Sequence, residues 1–165
     1  QMYYRHATDV DERQISSMVD KYRKRYLEIG FSENVMYDGM LEVIDELHRL
    51  DSRDLGICTS KRKDIAEKIL QMFGLTDYFG FVSGGEVGTS KSQQLAVLLE
   101  TSVISSHSMM IGDRSVDILA AHGNGLQSTG VLWGYGSRRE LEEVCAGHLS
   151  DAPPELLGYL NAQAT

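Results

Sequence analysis

The stretch Met109-Met110-Ile111-Gly112-Asp113-Arg114-Ser115-Val116-Asp117 constrains the fold of this chain more than any other. Three apolar residues run into Gly-Asp, a second Asp follows four residues after the first, and an amphipathic segment comes next. That order reads as a buried parallel strand turning directly into a helix, because a strand covered on both faces shows a continuous apolar run rather than alternation. In open α/β sheets ligands collect beyond the carboxyl ends of the strands, where Asp113 and Asp117 would lie. Two carboxylates there suit a hard cation such as Mg2+, which takes oxygen ligands. The same residues admit a plainer reading, in which Asp113 caps the following helix.

The rest of the sequence repeats this strand-to-helix rhythm. Short apolar runs at 55–58, 79–82, 108–111 and 128–132 read as strands, and segments at 63–73, 93–99, 115–122, 138–145 and 153–160 read as helices. Alternation at this spacing predicts an α/β fold with a parallel sheet and right-handed crossovers. Ahead of the first strand two helices are expected. In 9–29, Ile15, Met18, Val19, Tyr22 and Tyr26 recur at helical spacing; in 39–50, Leu41, Ile44, Leu47 and Leu50 do so. His48 reads as a solvated residue at the end of the second helix. Pro153-Pro154 fits the first turn of the last helix.

At 165 residues the chain supports one good core and a small appendage. A net charge of −8 argues against binding nucleic acid or an anionic membrane, since both need basic patches. A local cluster can still hold a small phosphorylated ligand. Cys58 and Cys145 lack metal-type spacing, and Cys58 reads as a buried free thiol, which fits a cytoplasmic setting. No apolar run approaches membrane-spanning length and no signal peptide is visible. A translated chain starts with Met, so Met2 is expected as the native start and Gln1 as the remnant of a tag.

Three further features fall at strand ends. In Cys58-Thr59-Ser60-Lys61-Arg62-Lys63 a strand ends in two hydroxyls before a helix, an arrangement that favours an oxyanion or phosphate; alternatively Ser60 simply caps that helix. The segment Gly84-Gly85-Glu86-Val87-Gly88-Thr89-Ser90-Lys91-Ser92 superficially resembles a P-loop, but Ser90 stands where that loop needs Gly before the Lys, which excludes nucleotide triphosphate binding of that type. Lys91 remains as a cation near a helix start, opposed to the helix dipole. In Trp133-Gly134-Tyr135-Gly136 the glycines permit tight turns and the aromatics either wall a pocket or pack the loop on the core.

Thr59-Ser60 after one strand, Lys91 before a helix, Gly112-Asp113-Arg114-x-x-Asp117, and then Trp133-Gly134-Tyr135-Gly136 come in an order that resembles the haloacid dehalogenase-like (HAD) phosphatases, most closely their phosphoglycolate phosphatase-like branch. Tyr37-Asp38-Gly39-Met40-Leu41, Leu75-Thr76-Asp77-Tyr78-Phe79 and Pro153-Pro154-Glu155-Leu156-Leu157 also resemble segments of that family. The resemblance implies a three-layer Rossmann-like core over residues 37–165 and the remnant of a helical cap over 1–36. It implies that Thr59, Ser60 and Lys91 hold a phosphoryl group, with Thr59 and Lys91 catalytic. It also implies that Asp113 binds Mg2+, with Asp117 as the supporting acid of the same metal motif. Such groups would stabilise a charge-spread phosphoryl transition state.

The family's nucleophile is an Asp in an Asp-x-Asp-x-Thr pattern on the first, central strand, and the sequence contains no such pattern. Asp9-Val10-Asp11 offers Asp-x-Asp, but no apolar strand precedes it, and both acids read better as helix-entry residues. The chain is therefore expected to be a truncated phosphatase without its first strand, inactive alone, and a weak binder of Mg2+. Removing a central strand would leave its neighbours about 9.6 Å apart with unpaired backbone groups. The neighbours could close up, Tyr3-Tyr4 could fill the gap, or a second copy or an N-terminal partner fragment could donate a strand. Two other readings are a noncatalytic HAD-derived binding module, and a different α/β enzyme using Asp113 and Asp117 with His107 or His122.

Overall fold

The computed structural model describes residues 11–50 and 54–163. Its first helix, α1 (Glu12–Glu28), opens on a reciprocal cap: Gln14 N donates to Asp11 Oδ1 at 2.8 Å and Asp11 N donates to Gln14 Oε1 at 3.1 Å. Asp11 is thus a helix-entry acid, as its sequence context suggests; Asp9 and Tyr3-Tyr4 lie outside the described residues. Within α1, Met18 is 44% exposed. Arg25, one turn before its end, pairs with Glu33 across the surface at 3.0 Å.

Helix α2 (Met40–His48) buries Val43 and Leu47 and leads to β1 (Gly56–Cys58). His48 is exposed, as expected, and its ring rests against Tyr78 at 4.7 Å. The chain then alternates: α3 (Lys63–Met72), β2 (Phe81–Ser83), α4 (Lys91–Glu100), β3 (Met109–Gly112), α5 (Ser115–Gly123), β4 (Gln127–Val131), α6 (Arg138–Glu143), β5 (Leu149–Ser150) and α7 (Pro153–Ala162). Every strand pair among the described residues is parallel. Helices α4, α5 and α6 pack in one layer, while α2 packs on α7 and α3 packs on β2. This is the α/β arrangement that strand–helix alternation predicts, in the three-layer Rossmann-like form that the family resemblance implies.

The principal apolar cluster joins Leu95 and Leu98 of α4 to Ala120 and Ala121 of α5 and to Leu126, with Cys58, Phe81 and Met110 of three strands packed against it. Yet the described strands form two sheets, β1-β2 and β3-β4-β5, with no ladder between β1 and β3. The two strands have not closed up to pair directly, although both rest on the same α4–α5 layer.

No helix among the described residues is long and apolar enough to cross a membrane. Strand β5 has no sequence signal, because two residues are too few to show a period.

Candidate functional site

Parallel strands place their carboxyl ends on one side of a sheet, so the loops after β1 and β2 lie together, as do those after β3 and β4. Lys91 is the first residue of α4, and Ser90 caps that helix through Gln93 N at 3.2 Å, with Gln93 Oε1 accepting from Ser90 N at 2.8 Å. The Lys91 side chain turns away from solvent and meets Asp117, Nζ to Oδ1, at 2.6 Å; the two side chains are 10% and 6% exposed. The cation that had no local reason to stand at a helix start has a tertiary one. Removing one member of a buried pair costs about 3–5 kcal/mol, because the other charge is left uncompensated, which exceeds the ~0.3–1 kcal/mol cost of a cation at a helix N-terminus.

Asp117 uses its other oxygen locally: Oδ2 accepts from Arg114 N at 3.1 Å. Both carboxylate oxygens are therefore engaged within the protein, and Asp117 stands behind the strand end, joining α4 to the start of α5. Asp113 does not cap α5, which begins at Ser115 with Arg114 as its flanking residue. Its carboxylate instead accepts from Tyr135 N at 2.7 Å, through Oδ2. The Trp133–Gly136 loop folds over Asp113: a Cβ on Gly136 would run into the Asp113 carbonyl, and one on Gly134 into the Asp113 side chain. A hollow of about 300 Å³ opens beside Asp113, walled by Tyr37, Trp133 and Tyr135 together with Ile111 and Val131.

At the end of β1, Thr59 N donates to Ser83 O of β2 at 2.9 Å, and Thr59 Oγ1 accepts from Lys61 N at 3.1 Å. This tight turn presents the Thr59 hydroxyl with its proton still available. Ser60 is exposed and does not cap α3, whose flanking residue is Arg62. The Gly84-Gly85 turn packs on this loop, Gly85 N donating to Lys61 O at 2.7 Å, rather than forming an open phosphate cradle. Cys58, one residue earlier, is half-buried and donates to Gln94 Oε1 at 3.3 Å. Burial pushes its thiol pKa up, opposed by nearby Lys91 and reinforced by Asp117, so it stays a neutral packing group.

Lys91 and Asp117 are thus in direct contact, Asp113 occupies the same loop as Asp117, and Thr59 ends the adjoining half of the layer. His107 is exposed ahead of β3. His122 lies in the last turn of α5, with Nε2 3.0 Å from Ser128 Oγ, at the other end of the helix from Asp117.

One residue of the site has no sequence signal. Glu140 of α6 accepts from Ser115 N (2.8 Å), Ser115 Oγ (2.8 Å) and Arg114 Nε (2.9 Å), tying down the two residues that follow Asp113. The Ser115 backbone N–H first, then Arg114 and the Ser115 hydroxyl, lower its carboxyl from 4.5 to about 2. A depressed carboxyl stabilises the fold above its unfolded pKa, and that contribution fades as pH falls from 4.5 towards 2. Glu140→Gln is expected to flatten the acid limb of stability across this window in urea titrations; an unchanged slope would refute the assignment.

Among the described residues no three His, Cys, Asp or Glu side chains form a cluster that could hold a metal ion. The hard donor these residues offer at the strand end is the Asp113 carboxylate, one oxygen of which is already bonded to Tyr135 N. Mg2+ keeps several waters and binds through one or two carboxylates, so Asp113 is of the chemistry that could serve as one such ligand.

The family model of haloacid dehalogenase-like hydrolases matches residues 1–131. A 5'-nucleotidase of Pseudomonas aeruginosa is 33% identical over 135 residues, 79% of this chain and 61% of that protein. A phosphoglycolate phosphatase of Synechococcus elongatus is 34% identical over 118 residues, 70% of this chain and 56% of that protein. The chain therefore spans little more than half the length of these curated relatives. Among solved structures, a predicted phosphatase from Clostridium acetobutylicum superposes with a TM-score of 0.86 at 29% identity, covering 98% of this chain and 76% of that one. With its parallel strands, its Lys–Asp pair and its Gly-Asp strand end, the chain belongs to the haloacid dehalogenase-like hydrolases, on their phosphoglycolate phosphatase-like side.

Proposed function

We propose that this chain carries the phosphoryl-binding part of a Mg2+-dependent phosphomonoester phosphatase acting on a small phosphorylated metabolite, and that it has little or no turnover alone. The buried Lys91–Asp117 pair at the carboxyl ends of the strands carries the reading. It supports a fixed cation beside the Asp113 loop, and a fixed charge stabilises a phosphoryl transition state without reorganising. In this scheme Lys91 offsets the charge of the phosphoryl oxygens, with Asp117 holding its ammonium in place. The Thr59 hydroxyl donates to one of those oxygens. Asp113, steadied by Tyr135 N, would hold Mg2+, which when bound neutralises phosphoryl charge. The family resemblance assigns attack on phosphorus to an Asp in a pattern these residues lack.

The names of the relatives support a phosphomonoester and extend to two unlike leaving groups, so the leaving group stays unassigned. The test is hydrolysis of p-nitrophenyl phosphate by the purified chain with Mg2+ or EDTA, alongside Asp113→Ala. The expected rate equals the blank in all cases. Mg2+-dependent turnover abolished in Asp113→Ala would overturn the inactivity and assign a nucleophile within these residues.

A further inference from the structure

Helix α5 begins two residues after Asp113, and its first N–H groups need acceptors. Arg114, the flanking residue, cannot supply one, because a guanidinium has donors only. By sequence the nearest acceptor on that side is Asp113. An Asp carboxylate commonly takes the N–H two residues on, and for Asp113 that group is Ser115 N. A carboxylate oxygen spent in that way serves its own helix and is lost to a ligand.

The structure fills that position from elsewhere. Ser115 N donates to Glu140 Oε1 at 2.8 Å, across 25 residues, and Ser115 Oγ donates to the same oxygen at 2.8 Å. Arg114 Nε, 2.9 Å from Glu140 Oε1, holds that carboxylate against the helix start. Arg114 N donates to Asp117 Oδ2 at 3.1 Å. The two backbone N–H groups that follow Asp113 are thus both taken by other acids. Asp113 instead accepts from Tyr135 N at 2.7 Å and borders the hollow lined by Tyr37 and Trp133. Helix α5 loses nothing by this exchange, because a carboxylate still meets the positive end of its dipole.

We propose that Glu140 is a positioning residue for Asp113. By capping α5 from the neighbouring helix α6, it keeps the Asp113 carboxylate off the helix start and free for a ligand at the strand end. Glu140 itself touches no ligand in this scheme and acts only through Ser115 and Arg114. The hold on Asp113 stands on hydrogen-bond geometry alone. Only the Mg2+ arm of the test rests on the phosphatase reading.

The test is urea unfolding of the full chain, with Asp113→Ala made in the parent, in Glu140→Ala and in Glu140→Gln. In Glu140→Ala, Asp113 is expected to take over Ser115 N. There Asp113→Ala should lower the folding equilibrium constant about fivefold more than it does in the parent, the usual worth of a helix cap. Gln keeps an acceptor oxygen and removes the charge, so in Glu140→Gln the effect of Asp113→Ala should match the parent's within about twofold. The second readout is Mg2+ titration followed by the Asp113 and Tyr135 amide shifts. Glu140→Ala should weaken Mg2+ binding about tenfold, and Glu140→Gln should hold it within about threefold of the parent. A role in stability alone would move neither comparison. Additive effects of Asp113→Ala and Glu140→Ala would overturn the proposal, as would a Mg2+ affinity that Glu140→Ala leaves unchanged. Equal coupling in the Ala and Gln backgrounds would also overturn it, by showing only repulsion between acids. Coupling confined to Glu140→Ala, in a chain whose amides ignore Mg2+, would support the positioning and refute the metal reading. Additivity with Mg2+ shifts at Asp113 would do the reverse.

Discussion

A Lys91→Met chain is expected to unfold in urea with a stability about 3–5 kcal/mol below that of the parent. The reason is asymmetric desolvation. Lys91 and Asp117 lie 2.6 Å apart with side chains 10% and 6% exposed. Removing one charge strands the other where water cannot reach it. Asp117→Asn should cost a similar amount, since it leaves the ammonium alone. The double variant Lys91→Met/Asp117→Asn should cost less than the sum of the single changes, by about 1–3 kcal/mol, because the two groups act as a unit. Ion pairs elsewhere set the contrast: Arg139–Glu143 is 87% and 62% exposed, and breaking it should change stability by less than about 1 kcal/mol. Single-variant losses near that surface value would show that the pair is solvated and would remove the fixed cation from the proposed phosphoryl site.

Gly136→Ala is the second large effect, at about 2–3 kcal/mol of lost stability. Its added methyl would overlap the Asp113 backbone carbonyl, and backbone cannot rotate aside as the tip of a long side chain can. Either the Trp133–Gly136 loop lifts or the end of β3 shifts, and both break the bond from Tyr135 N to Asp113. Trp133 is the single tryptophan, so its emission reports the loop directly. A red-shifted spectrum should accompany the stability loss. Gly158→Ala in α7 is the control: nothing lies within 4 Å of the added Cβ, and Ala should raise stability by up to about 1 kcal/mol. A Gly136→Ala chain with parental stability and emission would show that the loop does not clasp Asp113.

The readable parts of the fold were those with a long period. Helix α3, expected at 63–73, runs Lys63–Met72, and the last helix starts at Pro153 as its Pro-Pro signal requires. Ends chosen by capping moved: α4 starts at Lys91 rather than 93, because Ser90 and Gln93 cap each other. The local alternatives for the site were less reliable. Asp113 and Ser60 are each of a residue type that caps helices, and neither does so here, because their loops turn once more before α5 and α3 begin. Glu140 was invisible because its partners are 25 and 26 residues away and nothing local distinguishes it from Glu142 or Glu143.

The sequence by itself determined the strand–helix alternation, the parallel sheet this alternation enforces, and the presence of Thr59, Lys91, Asp113 and Asp117 at strand or helix ends. Those follow from apolar periodicity and Gly placement, which act over a few residues. Tertiary structure alone decided that Lys91 is paired with Asp117, that Asp113 is held by Tyr135 N, that Glu140 anchors the loop between them, and that β1 pairs with β2 and β3 with β4 on a shared helical layer. Each of these is a contact between distant segments, set by how desolvation and packing are jointly satisfied once the layers close, and a local pattern carries no record of it.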